Sequence, residues 1–355
     1  MSTALGAAGE LAIRSLIERA PLASSLAAAF KAEGFTLALV GGPVRDAILG
    51  RLGNDLDFTT NAQPQDTKKI LSKWAENIWE TGIEFGTVAG KRGDTTVEVT
   101  TYRSETYDPQ SRKPEVQYGK DIHGDLSRRD FTINAMALEL TSETPEFIDP
   151  FLGLVDLGKK LLRTPSSAEQ SFSDDPLRMM RAARFASQLD FEIAPDVLSA
   201  IKSMTERISI ISAERVRDEL TKTLMSKNPR AGITILVETG LAAIVLPEIP
   251  KLQLEIDEHH HHKDVYEHSL TVLEQAIALE HRLDGPNLVI RLAALLHDIG
   301  KPKTRALIDG GGVSFHHHEI VGARLAVSRL KALHFDNHTI EAVETLIALH
   351  LRFHG

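Results

Sequence analysis

The chain contains no cysteine. That excludes disulfide cross-links, thiol nucleophiles and Cys-ligated zinc, and it fits a reducing compartment, the cytoplasm. It has no long apolar run. The N-terminus is rich in Ala and Leu, but Glu10, Arg14, Glu18 and Arg19 interrupt it, so it is neither a signal peptide nor a membrane span. It lacks a repeat of fixed period and a low-complexity linker. It also lacks a net positive charge: 40 Lys and Arg face 49 Asp and Glu, a balance of −9. The deficit is uneven. Residues 1–158 hold 16 basic against 23 acidic side chains, residues 159–230 hold 13 against 10, and residues 231–355 hold 11 against 16. Only the middle segment is net basic. Affinity for RNA comes from local phosphate contacts and not from whole-chain charge, so this segment is the expected RNA surface.

What is present begins with length. At 355 residues, 42% apolar and 25% charged, the chain has room for two or three domains. Near the start, the apolar strand Leu37-Ala38-Leu39-Val40 runs into Gly41-Gly42-Pro43-Val44-Arg45-Asp46. A Gly53-Asn54 turn then leads to Asp55-Leu56-Asp57-Phe58-Thr59-Thr60. Alternate residues of a strand share a face, so Asp55 and Asp57 point the same way. Two adjacent carboxylates repel unless a cation lies between them. Hard oxygen ligands at this spacing suit Mg²⁺ with substrate phosphates. The glycines let backbone N–H groups approach a triphosphate closely. These residues predict a metal-dependent nucleotide site.

The patterning predicts helix over residues 1–33, strands at 36–40 and 55–59, and a helix over 65–77 with Ile70, Leu71 and Trp74 on one face. Strands at 85–91 and 95–102 flank an Arg92-Gly93-Asp94 hairpin turn. Residues 103–120 predict a polar loop. From about residue 126 the pattern is largely helical.

Taken together, Gly41-Gly42-Pro43-Val44-Arg45-Asp46 and Asp55-Leu56-Asp57-Phe58-Thr59-Thr60 resemble the signature of class II template-independent nucleotidyltransferases. That is the family of tRNA CCA-adding enzymes and bacterial poly(A) polymerases. The resemblance extends through residues 35–350, with motifs in family order. It implies an α+β fold: a nucleotidyltransferase head with a small mixed sheet (1–150), an all-helical neck (151–232) and an HD-type helical domain (233–355). It further implies that Asp55 and Asp57 hold metal and that Glu98, in Val97-Glu98-Val99, is the strand acid near them. Gly41, Gly42, Arg45 and Asp46 would then contact the nucleotide. In Asp125-Leu126-Ser127-Arg128-Arg129-Asp130-Phe131-Thr132-Ile133-Asn134, two planar phosphate donors, Arg128 and Arg129, precede Asp130 and Asn134. The last two lie four apart, on one helical face if the segment is helical, where they could bond a ribose hydroxyl pair. Arg103, Asp108 and Arg112 lie in the segment that resembles the family's flexible loop, associated with addition of the terminal A. Phe147-Ile148-Asp149-Pro150 through Asp156-Leu157 matches the head–neck connection.

Asp174-Asp175-Pro176-Leu177-Arg178 resembles the family's protein template. Asp175 accepts and Arg178 donates. Cytosine and adenine both present an amino donor beside a ring-nitrogen acceptor, whereas uracil and guanine present the reverse order. One Asp–Arg pair can therefore accept C and A and leave mismatched polar groups against U and G, at about 1–3 kcal/mol each. Ala213-Glu214-Arg215-Val216-Arg217-Asp218-Glu219-Leu220 matches the last neck motif, where bracing of the template helix and ligand contact are both open.

Most of the fifteen histidines fall after residue 257. Asp257-Glu258-His259-His260-His261-His262 runs into His268. Leu295-Leu296-His297-Asp298-Ile299-Gly300-Lys301 and Phe315-His316-His317-His318-Glu319 with Gly322 follow. They resemble the HD superfamily of metal-dependent phosphohydrolases. Imidazole with carboxylate suits Mn, Fe, Ni or Mg. His268, His297, Asp298 and His318 are the expected ligands, ahead of His316 and His317, with His350 and His354 as weaker candidates. HD domains usually continue to a further aspartate, so a chain truncated at Gly355 is expected.

The favoured activity is addition of CCA to tRNA 3′ ends from CTP and ATP, releasing pyrophosphate, in the cytoplasm. A poly(A) polymerase is the nearest alternative. That branch carries a Gly-Arg-Arg-Phe element where this chain has Gly82-Ile83-Glu84-Phe85. A metal-dependent phosphohydrolase acting on RNA ends or nucleotides is the alternative from another class.

Overall fold

In the computed structural model the described residues are 21–106, 115–118, 121–254, 256–257, 263–308 and 312–353. The chain divides into two compact units, Met1–Asp174 and Asp175–Gly355.

The first unit is built on strands β1 (Leu37–Val40), β2 (Asp55–Thr60), β3 (Asn77–Trp79), β4 (Thr87–Arg92), β5 (Thr95–Thr101), β6 (Arg103–Thr106), β7 (Glu115–Tyr118), β8 (Ala137–Glu139) and β9 (Glu146–Ile148). Seven of them form one sheet in the order β3-β4-β5-β2-β1-β8-β9. β2 and β5 run parallel, and the remaining neighbours are antiparallel. On β2 the period-2 pattern holds: Leu56 and Phe58 are buried, while Asp55 and Asp57 stay exposed. Leu37, Leu39, Val97 and Val99 complete the buried layer. Helix α1 (Pro21–Ala32) adds Leu26 and Phe30, and α3 (Pro64–Trp74) adds Ile70, Leu71 and Trp74. Between them in the chain, α2 (Gly42–Ile48) follows β1 directly. Helices α4 (Ile122–Ser127), α5 (Gly153–Lys159) and α6 (Ala168–Asp174) complete this unit.

Three expectations need correction. The helix over 65–77 ends at Trp74, and Asn77–Trp79 is an edge strand paired to β4. Three residues are too few to show alternation. The largely helical pattern from 126 is interrupted by β8 and β9, also three residues each, which extend the sheet beyond β1. Residues 103–120 are not all loop: β6 and β7 pair as an antiparallel ribbon from Arg103↔Tyr118 to Thr106↔Glu115. A two-stranded ribbon is held by backbone hydrogen bonds, so a polar composition does not exclude it. Of the helix expected over 1–33, residues 1–20 lie outside the described residues.

The second unit is predominantly helical: α7 (Leu177–Leu189), α8 (Pro195–Met204), α9 (Ala213–Leu224), α10 (Pro229–Glu238), α11 (Leu241–Val245), α12 (Val265–Leu279), α13 (Leu288–Leu296), α14 (Lys301–Thr304), α15 (His318–Ala332) and α16 (Asn337–Leu349). Helix α7 packs on α9 and α10, and α13 packs on α12 and α16. No described helix is long and apolar enough to cross a membrane.

A buried ion pair ties these helices together. Arg291 on α13 donates Nε and Nη2 to the two carboxylate oxygens of Glu280, at 2.7 and 2.6 Å. Its Nη1 reaches the carbonyls of Leu224 and Ser226 at the end of α9. Removing one partner of such a pair strands the other charge. Arg291→Met is expected to lose about 3–5 kcal/mol of stability in urea unfolding. The double variant R291M/E280Q, which removes the stranded charge, is expected to recover a large part of that loss.

Candidate active site

β1 delivers the chain straight into Gly41, whose backbone adopts φ +74° and ψ −138° ahead of α2. A side chain is strained at that φ. A Cβ there would also stand 2.8 Å from Nη1 of Arg129 and 3.9 Å from Oδ2 of Asp57. The missing side chain therefore lets a guanidinium and a carboxylate both approach the backbone. Asp57 lies opposite Glu98 in the parallel β2–β5 register, and Asp55, opposite Thr96, is two residues away on the same face. All three carboxylates are solvent-accessible.

Protein nevertheless crowds Asp57. Desolvation by that crowding, then the charge of Glu98, and more weakly that of Asp55, push its pKa up to about 6 against the pull of Arg129. The trio is electrostatically incomplete. Its donors are hard oxygens fixed on two adjacent strands, and they fit a divalent cation of the Mg²⁺ type.

Arg129 and Arg128 are held from behind by Asp125. Arg128 donates to Oδ1 at 2.7 Å through Nη2, and Arg129 donates to Oδ2 at 3.2 Å. Asp125 is almost fully buried. Burial alone would raise its pKa, but Arg129 and Arg128 more than offset this and hold it below the usual carboxylate range.

Asp130 and Asn134 are neighbours, though not on a shared helical face. The chain makes a single 3₁₀ turn at Thr132–Asn134, which brings Nδ2 of Asn134 to Oδ1 of Asp130 at 3.0 Å. The head–neck motif locks this turn. Asp149 caps α5 through the N–H groups of Gly153 and Leu154. Asp156 on α5 accepts from Thr132 Oγ1 at 2.7 Å and from Arg163. Arg45 is buried beneath Gly42. It donates Nε and Nη2 to Asp46 and Nη1 to Asn134 Oδ1 at 2.7 Å. Asp46 also accepts from Arg51.

In the second unit, Asp175 precedes α7 and accepts from the Leu177 N–H at 3.1 Å and from Arg215 at 3.3 Å. Arg178, in the first turn of α7, is buried. Helix α9 braces this segment: besides Arg215, its buried Glu219 pairs with Arg184 of α7 at 2.7 Å.

The same unit gathers the histidines. Nε2 of His297 and His268 lie 3.1 and 3.8 Å from Oδ2 of Asp298, and Nε2 of His318 and His350 lie 3.2 and 3.9 Å from Oδ1. His297, His318 and His350 each present Nδ1 to a carbonyl three residues earlier. A carbonyl only accepts, so the proton sits on Nδ1 and the Nε2 lone pairs converge on a carboxylate. Acceptors gathered in this way need a cation among them, and His/Asp donors fit a divalent metal. Lys301 supplies one positive charge, 3.0 Å from Oδ2. Burial lowers the pKa of His350, which keeps that imidazole neutral.

Gly300 makes the cluster possible. A Cβ there would collide with the carbonyl of His318 and the N–H of Gly322, so only glycine lets α15 cross this close to His297-Asp298. His316 and His317 are exposed and stay outside the cluster. His350, ranked low from sequence, belongs inside it. His259–His262, His354, Asp108 and Arg112 lie outside the described residues; Arg103 begins β6.

Crowding of the head carboxylates makes stability depend on pH. Because Asp57 has a folded pKa above its ordinary 3.8, the folded chain keeps a proton that the unfolded chain releases between the two values. Its contribution to stability is complete below 3.8 and is lost as pH rises through about 6. Asp57→Asn is therefore expected to raise the Tm of the EDTA-treated protein at pH 8, with a smaller gain at pH 4.5. Differential scanning calorimetry at both pH values checks this.

Comparisons with known proteins agree in domain order. Residues 37–163 match the poly A polymerase head domain, 190–252 the probable RNA and SrmB-binding site of polymerase A, and 265–355 the HD domain. The CCA-adding enzyme of Levilactobacillus brevis is 43% identical over 209 residues, covering 59% of this chain and 51% of the relative. That of Streptococcus uberis is 39% identical over 237 residues, covering 66% and 57%. The chain thus spans about half the length of the curated relatives it matches. The crystal structure of the Bacillus stearothermophilus CCA-adding enzyme in complex with CTP is similar, with a TM-score of 0.59 and 28% identity, covering 93% of this chain and 80% of that one. The Thermotoga maritima CCA-adding enzyme complexed with tRNA shares the fold at a TM-score of 0.66 and 21% identity, covering 96% and 81%. A nucleotidyltransferase head and an HD domain imply dependence on divalent metal. With head, RNA-binding segment and HD domain in that order, the chain belongs to the nucleotidyltransferase family of CCA-adding enzymes and bacterial poly(A) polymerases.

Proposed function

We propose that the protein is a tRNA nucleotidyltransferase that completes tRNA 3′ ends with CCA, using CTP and ATP and releasing pyrophosphate. One observation carries this reading: three exposed carboxylates on β2 and β5 face a guanidinium across the bare backbone of Gly41. We assign the domains as head 1–150, neck 151–232 and HD domain 233–355, acting in the cytoplasm. Mg²⁺ at Asp55 and Asp57, with Glu98 beside them, would stabilise the attacking 3′-oxygen and the leaving pyrophosphate. The nucleophile is the RNA hydroxyl, so the protein's own work is placement. Gly41 and Gly42 admit the triphosphate to the backbone, and Arg128 and Arg129, stiffened by Asp125, oppose its charge. Asp130 and Asn134 take the ribose. Asp175 and Arg178 read the base edge, and the segment from Arg103 through Asp108 and Arg112 serves addition of the terminal A.

Absence of an arginine pair at Gly82-Ile83-Glu84-Phe85 favours CCA addition over a poly(A) tail. The His/Asp cluster supports a second activity, metal-dependent hydrolysis of phosphate esters at RNA ends or of nucleotides, with Mn, Fe, Ni or Mg held by His268, His297, Asp298 and His318.

The test combines Mg²⁺, labelled CTP or ATP, tRNA lacking its CCA end, and an unstructured oligonucleotide. Two Cs followed by one A on the tRNA alone is the expected result. Long A tracts on either RNA would move the assignment to poly(A) polymerase. Arg178→Ala is expected to admit UTP, with C-over-U selectivity reduced about tenfold or more. Unchanged selectivity would remove Arg178 from base reading. Hydrolysis of a cyclic phosphodiester to its phosphomonoester is expected to survive Asp55→Ala and to be lost in Asp298→Asn.

A further inference from the structure

We infer that Arg45 is a positioning residue for sugar recognition and not a phosphate donor, acting through the side-chain amide of Asn134. This rests on the reading of Asp130 and Asn134 as the ribose contact.

Arg45 is 8% exposed. Two of its nitrogens form a fork onto Asp46, Nε to Oδ1 at 3.0 Å and Nη2 to Oδ2 at 2.9 Å. Asp46 is itself tied to Arg51, so the guanidinium plane is fixed from one side. The third nitrogen, Nη1, donates 2.7 Å to Oδ1 of Asn134.

That last bond has a directional consequence. An amide side chain has one accepting and one donating end. With Oδ1 turned to a cation, Nδ2 must face the other way, and there it donates to Oδ1 of Asp130 at 3.0 Å. The same Oδ1 accepts the N–H of Phe131 at 2.8 Å. Asp130 is thereby held in one rotamer by two donors on one oxygen, and both Asp130 and Asn134 are largely buried. Without Arg45, Oδ1 of Asn134 loses its cationic partner, and the Asp130 carboxylate alone is left to hold the amide in this orientation. A flipped amide would place an acceptor against the Asp130 carboxylate and push it off position.

A phosphate donor must present N–H groups to the triphosphate, and Arg129 is placed for that, with Nη1 against the bare backbone of Gly41. Arg45 instead spends its fork on Asp46 and its remaining arm on Asn134. The two roles predict different kinetics. A phosphate contact serves ribo- and deoxyribonucleotides alike. A bond that aims the sugar-binding carboxylate matters only when a 2′-hydroxyl is there to be bound.

The experiment measures kcat and KM for CTP and for 2′-deoxy-CTP on tRNA lacking its CCA end, with Mg²⁺. Wild type, Arg45→Lys, Arg45→Met, Asn134→Ala and the double variant R45M/N134A are compared. Loss of preference for CTP over 2′-deoxy-CTP is expected in Arg45→Met, by about tenfold or more, with the deoxy substrate little affected. The double variant is expected to be no worse than Asn134→Ala alone, since both act through one bond chain. Arg45→Lys, which keeps the charge and can pair with Asp46 but has no fork, is expected to show the same loss of preference if Arg45→Met does not fold. Equal loss for both nucleotides, or additive effects in the double variant, would overturn the inference. A wild type that incorporates neither nucleotide would instead overturn the proposed activity itself.

Discussion

The repulsion among Asp55, Asp57 and Glu98 is the constraint on which the head depends. The parallel register of β2 on β5 sets Asp57 opposite Glu98, and the strand period sets Asp55 on the same face. Left alone, this arrangement opposes folding: desolvation first, then the charge of Glu98 and more weakly that of Asp55, raises the pKa of Asp57. A hydrophobic sheet around Leu39, Phe58 and Val99 holds the carboxylates together regardless. The head therefore carries a built-in demand for positive charge at one place. Arg129 meets part of it from across Gly41, and a divalent cation would meet the rest.

The surrounding polar groups serve that place by fixing one another. Asp125 stiffens two arginines from a buried position, Asp156 and Asp149 secure the turn that carries Asp130 and Asn134, and Arg45 links that turn to α2. Buried polar networks of this kind rigidify a site when every member is satisfied. The HD-type domain applies the same logic with different donors. A tight crossing at Gly300 and Gly322 forces imidazoles and one carboxylate together, and their lone pairs then call for a cation.

Much of this was legible in the amino-acid order because period-2 alternation is local. Leu56 and Phe58 inward with Asp55 and Asp57 outward needs no tertiary information. His318 could be separated from His316 and His317 by its spacing to Glu319 and Gly322, and of the three it is the one that stands beside Asp298. Three-residue strands such as Ala137–Glu139 and Glu146–Ile148 were not legible, since they exist only by pairing with β1 and with each other. Asp130 and Asn134 do meet, but through a 3₁₀ turn braced by distant Asp156, so their spacing misrepresented the cause. For Arg45, read from sequence as a nucleotide contact, no local signal shows that Nη1 donates to Asn134, 89 positions away. His350 was underrated for the same reason: its partners lie 32 and 52 residues earlier, on elements brought near only by helix packing.

The claim most open to direct test is that the carboxylates of β2 bind the divalent cation of the nucleotidyltransferase head. Mn²⁺ binding followed by electron paramagnetic resonance, with CTP present and the histidine cluster silenced by Asp298→Ala, isolates that site. A bound Mn²⁺ population that disappears in Asp55→Ala and in Asp57→Ala is the expected result. Retention of the same population in both variants would contradict the account.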